Sequence, residues 1–281
     1  MSDHVSPVRV AALQMRSGTD VEKNLLAATE LVHVAADQGA TYIQLPEYFN
    51  YYGPAKHFAD VAEEIPGVTS RAMGEVARER HVTLHLGSML QDSRSAERSA
   101  NTSVLLGDDG AIIALYQKTH LFDIDVPGEV SYRESAAIAA GSRLVVAELG
   151  GFTLGLSICF DVRFAELYRQ LALRGATVFA VPSAFSAVTG PAHWEVLLRA
   201  RAIENHAFVI AATQAGTTEE GLATYGHAMI IDPWGSVLAQ SSGDEQEVVL
   251  CDIDLSQVAR RRREIDVFAL RRPELYEQTR E

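Results

Sequence analysis

The stretch Phe152-Thr153-Leu154-Gly155-Leu156-Ser157-Ile158-Cys159-Phe160-Asp161-Val162-Arg163-Phe164-Ala165-Glu166 decides the architecture. Its first seven residues read as a short apolar strand, and Asp161 onward opens an amphipathic helix over 163–174. Cys159 therefore falls at a strand-to-helix turn. Amides at a helix N-terminus are expected there to lower the thiol pKa and to face a developing oxyanion. The flanks repeat the alternation. Strands are expected at 144–149, 177–181 and 208–213, and a helix at 191–205 with Pro191 in its first turn. Upstream come a strand at 8–15, a helix at 21–38, a strand at 41–45, a helix at 70–81 and a strand at 82–88. The segment 101–106 then pairs with 111–116 across Gly107-Asp108-Asp109-Gly110, a strong hairpin signal. Downstream, strands are expected at 226–231, 237–240 and 248–253. Strands and helices mixed throughout, with several hairpins, imply an α/β layered domain with a mixed sheet. One domain, 1–281, is the simplest division, with 255–281 as a closing helix and C-terminal arm. The Arg260-Arg261-Arg262-Arg263 run is expected to be a solvated helix face.

Composition narrows the function classes. The 281 residues carry 24 Lys+Arg against 37 Asp+Glu, a formal charge of −13, and 47% are hydrophobic. That apolar content supports an ample core and excludes intrinsic disorder. The acidic balance argues against nucleic-acid binding, which needs a surplus of cations. Two cysteines, Cys159 and Cys251, cannot make a disulfide framework or a Cys-based zinc site. Met1-Ser2-Asp3-His4-Val5 lacks the pattern of a signal peptide, and the uncharged stretch 175–194 is broken by Pro182, Gly190 and Pro191. The expectation is a cytoplasmic protein with a reduced thiol.

Cys251, inside an apolar run, is expected in the core. Cys159 needs a base to act as a nucleophile. His120 and His193 are open alternatives, as is Glu47, which follows Leu45-Pro46 at the end of an apolar strand. Gly155-Leu156-Ser157-Ile158-Cys159 is not a serine nucleophile elbow, because the closing glycine is missing. Ser157 is expected to point the same way as Cys159 and to shape a pocket floor. His81 and His85 are expected to share a strand face, but no third ligand accompanies them, so no metal site is expected.

Taken together, Leu45-Pro46-Glu47-Tyr48-Phe49, Lys118-Thr119-His120-Leu121-Phe122 and Ser157 through Phe164 resemble the Glu–Lys–Cys signature of the nitrilase superfamily of carbon–nitrogen hydrolases. The likeness extends from Val8 to Tyr276 and is nearest to the branch holding ω-amidases and deaminated-glutathione amidases. Phe122–Gly128, Arg133-Glu134-Ser135, Thr189–Glu195, Tyr225-Gly226-His227, Asp232–Gly235 and Arg272–Tyr276 carry it. The resemblance implies a four-layer α-β-β-α sandwich with mixed sheets, commonly a homodimer or larger homo-oligomer in which the 260–276 arm contacts the partner.

The resemblance also implies the chemistry. Glu47 is the general base, Cys159 the nucleophile that forms a thioester, and Lys118 the cation that meets the oxyanion, helped by the Phe160 backbone N–H. Glu134 matches a second glutamate that orients the lysine and the substrate amide. Arg163 is placed to clamp a substrate carboxylate, and Tyr48 and Thr189 to line the pocket. Phe160 stands where tyrosine is frequent, which leaves the backbone N–H unaffected. No metal or organic cofactor is implied. The implied partner is a small-molecule amide, with no nucleic acid and no membrane. The expected activity is hydrolysis of the terminal amide of a small 2-oxo acid amide, deaminated glutathione slightly ahead of 2-oxoglutaramate. A nitrilase or N-carbamoyl amidohydrolase is the second enzyme reading. A catalytically inactive interaction protein is the third, and the intact Glu47, Lys118 and Cys159 argue against it.

Overall fold

Alternation along one strand separates the layers. In Val8–Met15, Val10 and Ala12 join one hydrophobic cluster while Ala11, Leu13 and Met15 join another, as a period of two requires. The computed structural model describes residues 7–92, 98–128, 130–219 and 221–275. The readings of Met1–Val5 and of the arm from Tyr276 onward lie outside them. Val8–Met15 is the centre of a nine-stranded sheet, flanked by Tyr42–Gln44 and Thr213–Thr217 in parallel and by Glu247–Ile253 antiparallel. Thr83–His85, Ala100–Leu106, Met89–Gln91 and Ile112–Gln117 extend it on one side and Ala223–Tyr225 on the other.

The second sheet has six strands, in the order Val237–Gln240, Met229–Ile231, Phe208–Ala211, Val178–Ala180, Phe152–Leu156 and Val146–Leu149. Helices Val21–Asp37 and Val68–Arg80 cover the outer face of the first sheet through Ala28, Val32, Ala35, Met73 and Ala77. Helices Ala165–Leu173 and Gly190–Asn205 cover the second through Leu167, Leu171, Trp194, Leu198 and Ala202. The inner faces meet in one buried cluster. The result is the expected α-β-β-α sandwich with mixed sheets. Among the described residues no helix is long and apolar enough to cross a membrane.

Several expectations are corrected. The run 208–213 is not one strand: Phe208–Ala211 belongs to the six-stranded sheet and Thr213–Thr217 to the nine-stranded one. The strand expected from 226 starts only at Met229, because Gly226 and His227 are left-handed, with φ of 70° and 60°. The helix expected over 163–174 is a 3-10 turn, Cys159–Arg163, followed by Ala165–Leu173. Extended Phe164 separates them. The hairpin Asp123–Val126 with Val130–Arg133 is too polar to register as an apolar run. Cys251 sits only partly buried at the edge of the core, its thiol donating to the Asp252 carbonyl at 3.2 Å. The arginine run is not simply solvated. Arg261 lies over the Trp234 ring at 4.2 Å, and Arg262 donates to the Ala176 and Asn205 carbonyls at 2.8 and 3.3 Å, which fastens helix Ser256–Glu264 to the domain.

Candidate active site

Four side chains from separate parts of the chain meet in one cavity of about 450 Å³: Glu47, Lys118, Glu134 and Cys159. Glu47 follows Tyr42–Gln44, and its carbonyl is held by the Gln214 side-chain amide at 3.1 Å. The next residue, Tyr48, is left-handed at φ 56°, and its N–H donates to Ser88 Oγ at 3.1 Å. Lys118 follows Ile112–Gln117, pinned by its own N–H to the Asn101 carbonyl at 2.9 Å. Glu134 begins the short 3-10 turn Glu134–Ala136 behind the polar hairpin. Cys159 is left-handed at φ 46°, with its N–H on the Pro182 carbonyl at 2.9 Å. A left-handed non-glycine residue is strained and persists only where the surroundings hold it. Here it turns the thiol out of the strand into the cavity.

The ammonium of Lys118 donates to Glu47 Oε1 at 2.8 Å and lies 3.1 and 2.9 Å from the two Glu134 oxygens. The Asn101 amide bridges the same two carboxylates, at 2.9 Å from Glu47 Oε1 and 3.3 Å from Glu134 Oε1. Glu47 Oε2 takes the Ala184 N–H at 2.8 Å, and Glu134 takes the Tyr48 hydroxyl at 2.9 Å and the Phe122 N–H at 2.6 Å. Glu47, Lys118 and Glu134 are each only 2% exposed. Buried charges persist only when paired and hydrogen-bonded. One cation serves two carboxylates here, and the neutral donors supply the rest.

Electrostatics assigns the proton states. Burial alone would lower the Lys118 pKa, but Glu134 and Glu47 together overcome it and hold the ammonium well above its ordinary value. Burial, then the Glu47 carboxylate, pushes the Cys159 thiol well above its ordinary value, and the opposing pull of Lys118 is weaker. The expected lowering of the thiol pKa by helix amides is therefore overturned. The resting sulfur is a thiol facing a carboxylate, which is the arrangement of a nucleophile activated by proton transfer to an adjacent base.

Of the other expected site residues, Tyr48, Phe160 and Thr189 line the cavity. Arg163 is not among its lining residues. Its guanidinium lies between the Phe160 and Phe185 rings, 5.5 and 5.2 Å from their centroids, and donates to Thr189 Oγ1 at 3.3 Å. The two histidines considered as bases are engaged elsewhere. His193 Nδ1 meets Arg163 at 3.1 Å, while His120 Nδ1 meets Asp161 at 2.8 Å with its ring stacked on Phe164. Ser157 does not shape the pocket floor, because the turn at Cys159 breaks the strand alternation. Its hydroxyl bonds to Tyr168 and to the Ala180 carbonyl, both at 2.7 Å. His81 caps helix Val68–Arg80 in the left-handed region, so it shares no strand face with His85. Among the described residues no group of three or more His, Cys, Asp or Glu side chains could hold a metal ion.

Two positioning residues escaped the sequence reading. Asn101 is a lone amide inside the wholly buried strand Ala100–Leu106, a signal that could have marked it. Asp161 is fully buried and accepts from Ile158 N–H at 2.8 Å, the Tyr116 hydroxyl at 2.7 Å and the His120 N–H at 3.1 Å. It thereby ties the Cys159 turn to the segment that carries Lys118. Nothing in the sequence distinguishes it from an ordinary residue in a first helical turn.

The chain matches the family model described as carbon-nitrogen hydrolase over residues 9–263. It is 39% identical over 268 residues to the omega-amidase of Homo sapiens, covering 95% of this chain and 96% of that protein. With the deaminated glutathione amidase of Homo sapiens it shares 41% over 274 residues, covering 95% and 83%. Among solved structures, the NitFhit protein of C. elegans superposes with a TM-score of 0.87 at 38% identity, over 96% of this chain and 66% of that one. A mutant amidase from Nesterenkonia sp., showing covalent addition of the acetamide moiety of fluoroacetamide at the active-site cysteine, superposes with a TM-score of 0.81 at 28% identity, over 96% and 95%.

Proposed function

The chain belongs to the carbon-nitrogen hydrolase family, and from that premise we propose that it is an amidase that hydrolyses the terminal amide of small 2-oxo acid amides. The observation that carries this is the buried thiol of Cys159 facing Glu47, beside a lysine that two carboxylates keep charged. Cys159 Sγ attacks the amide carbonyl carbon while its proton passes to Glu47. The negative oxygen that results is met by the Lys118 ammonium and the Phe160 backbone N–H, donors that act most strongly when charge has developed. Collapse breaks the C–N bond, and the leaving ammonia or amine takes the proton from Glu47. Glu47 then takes a proton from water, which attacks the thioester, and the acid leaves as the thiol is restored. Glu134 keeps Lys118 in position and, through it, orients the substrate amide.

The similarity to an omega-amidase and to a deaminated glutathione amidase supports substrates of the 2-oxo acid amide class. Deaminated glutathione and 2-oxoglutaramate are the two candidates, the first slightly favoured. Arg163 acts through Thr189: a guanidinium donating to the Thr189 oxygen leaves that hydroxyl's proton for a substrate oxygen. The test is hydrolysis of a panel of ω-amides, nitriles and carbamoyl compounds, compared by kcat/KM. Both 2-oxo amides are expected to lead the panel, and Cys159→Ala to abolish their cleavage. Unchanged turnover in that variant would sink the mechanism.

The same reading includes a homodimer. Val196 and Ile203 on helix Gly190–Asn205, with the turn at Gly235 against Ile203, are large exposed apolar side chains that support an interface between copies. Light scattering at micromolar concentration that returned the mass of one chain would remove it.

A further inference from the structure

The two buried carboxylates differ in how far their oxygens are occupied. A carboxylate offers about four lone-pair positions, roughly two on each oxygen. Glu134 is filled on both. Its Oε1 takes the Tyr48 hydroxyl at 2.9 Å, the Lys118 ammonium at 3.1 Å and the Asn101 amide at 3.3 Å. Its Oε2 takes the Phe122 N–H at 2.6 Å and the same ammonium at 2.9 Å. Glu47 is filled on one oxygen only. Its Oε1 takes the Lys118 ammonium at 2.8 Å and the Asn101 amide at 2.9 Å. Among the described residues, Oε2 takes the Ala184 N–H at 2.8 Å and no second donor apart from the Cys159 thiol, which is within hydrogen-bonding reach of this carboxylate. The open acceptor position beside the sulfur is therefore on Glu47 Oε2.

Asn101 creates that difference. It is fully buried in Ala100–Leu106, opposite Leu90, and its backbone carbonyl also receives the Lys118 N–H. Its own Oδ1 is buried without a hydrogen-bond partner. An orphaned buried acceptor costs stability, and an apolar side chain of similar shape would avoid that cost. Turning the amide over would be worse, because it would set an oxygen against two carboxylates that can only accept. What the position supplies is the N–H donors. Without them Lys118 alone would occupy Glu47 Oε1, and the thiol proton would have two destinations. One of these faces the ammonium, where a bound proton and the cation repel each other.

Resting on the amidase reading above, we infer that Asn101 is a positioning residue for the base: with Lys118 it closes Glu47 Oε1, so that the proton leaving Cys159 Sγ is taken by Oε2. A donor to a carboxylate also favours its ionised form, so loss of Asn101 makes the base easier to protonate. The titratable groups that face Glu47 are Lys118, Glu134, Cys159 and the phenols of Tyr48, Tyr52 and Tyr132. Burial before all else keeps the thiol and the phenols neutral, and Lys118 stays charged. The acid limb of the activity therefore reports the carboxylate pair.

The experiment follows kcat and KM against pH for the fastest amide of the panel above, in the wild type, Asn101→Leu and Asn101→Ala. Leucine keeps the branched shape and removes the donors, whereas alanine opens a space from which a water can donate instead. In Asn101→Leu, kcat is expected to fall by about 10- to 100-fold with KM within about twofold of the wild type. The acid limb of kcat/KM should move up by about one to two pH units, the worth of a hydrogen bond to a charged group. Asn101→Ala should show both effects at smaller size, and it decides on the limb alone if the leucine variant does not fold. A loss by one factor at every pH, with the limb unmoved, would mark Asn101 as a packing residue and overturn the inference. Unchanged kinetics would overturn it too, and either result leaves the amidase reading standing. A wild type that cleaves no amide of the panel would defeat that reading itself, and this inference with it.

Discussion

At Cys159 the surroundings work against a free thiolate, and this sets how the residue should respond to reagents. Burial and Glu47 both raise the thiol pKa, so at neutral pH the thiolate fraction is small and grows with pH. Modification by methyl methanethiosulfonate, which needs the thiolate, should be slow at pH 7 and quicken by about tenfold per pH unit below the thiol pKa. Glu47→Gln removes the larger electrostatic cause, so its modification profile should move to lower pH while amide hydrolysis is lost. A wild-type rate that is fast and flat from pH 6 to 8 would contradict the assignment of a resting thiol. That Glu47, Lys118 and Cys159 belong together was legible because each lies in a short motif of fixed order, and the fold does bring them into one cavity. Their proton states were not, because a pKa depends on burial and on partners distant in the chain. The helix-amide argument for Cys159 failed for that reason: it counted only groups near in sequence.

Among the elements, Thr83–His85 carries a buried histidine whose hydrogen bond goes to Ser103 on the neighbouring strand. Burial pushes the His85 pKa down to about 3 from an ordinary 6.5. Between those values the unfolded chain binds a proton that the folded one refuses, so stability falls as pH falls through that window. The loss between pH 7 and pH 5 is about 2 kcal/mol from this residue alone. Urea unfolding at the two pH values should show it, and His85→Gln, which cannot take up the proton, should reduce the difference by that amount. Equal differences in the two proteins would mean that His85 is not the acid-sensitive group. Strand and helix identities were largely readable here, since the periodicities of Val8–Met15 and Val21–Asp37 are strong. The change of sheet at Ala212 was not. An unbroken apolar run reports burial on both faces but carries no mark of which neighbours it hydrogen-bonds.

For the whole molecule, a net charge of −13 surrounds a cavity in which two carboxylates, Glu47 and Glu134, share the one ammonium of Lys118. An anionic substrate therefore approaches against the field. Raising ionic strength from about 20 to about 200 mM shortens the screening length from roughly 20 to roughly 7 Å. It should raise kcat/KM for an anionic amide by about two- to fivefold while leaving a neutral aliphatic amide nearly unaffected. A fall with salt for the anion would point to a cationic approach route. This behaviour could be anticipated in sign from composition. The internal balance of two glutamates on one lysine could not, because Glu134 and Asn101 meet that lysine only after the hairpin and Ala100–Leu106 have folded.

The cavity also divides by the kind of backbone that builds it. Glu47, Lys118 and Cys159 hang from strand ends whose main-chain groups are fixed by Gln214, Asn101 and Pro182. Part of the outer wall comes instead from Val188 and Thr189 and from Gly221 and Leu222, which lie outside the strands and bear none of the bond-breaking atoms. Reaction and selectivity are thus encoded in separable stretches of chain. Exchange of the outer segments would recut the cavity while Cys159, Glu47 and Lys118 stay in register. By this route a lineage can diversify in diet and keep one chemistry, and an engineer can graft new appetites onto an unaltered catalytic frame.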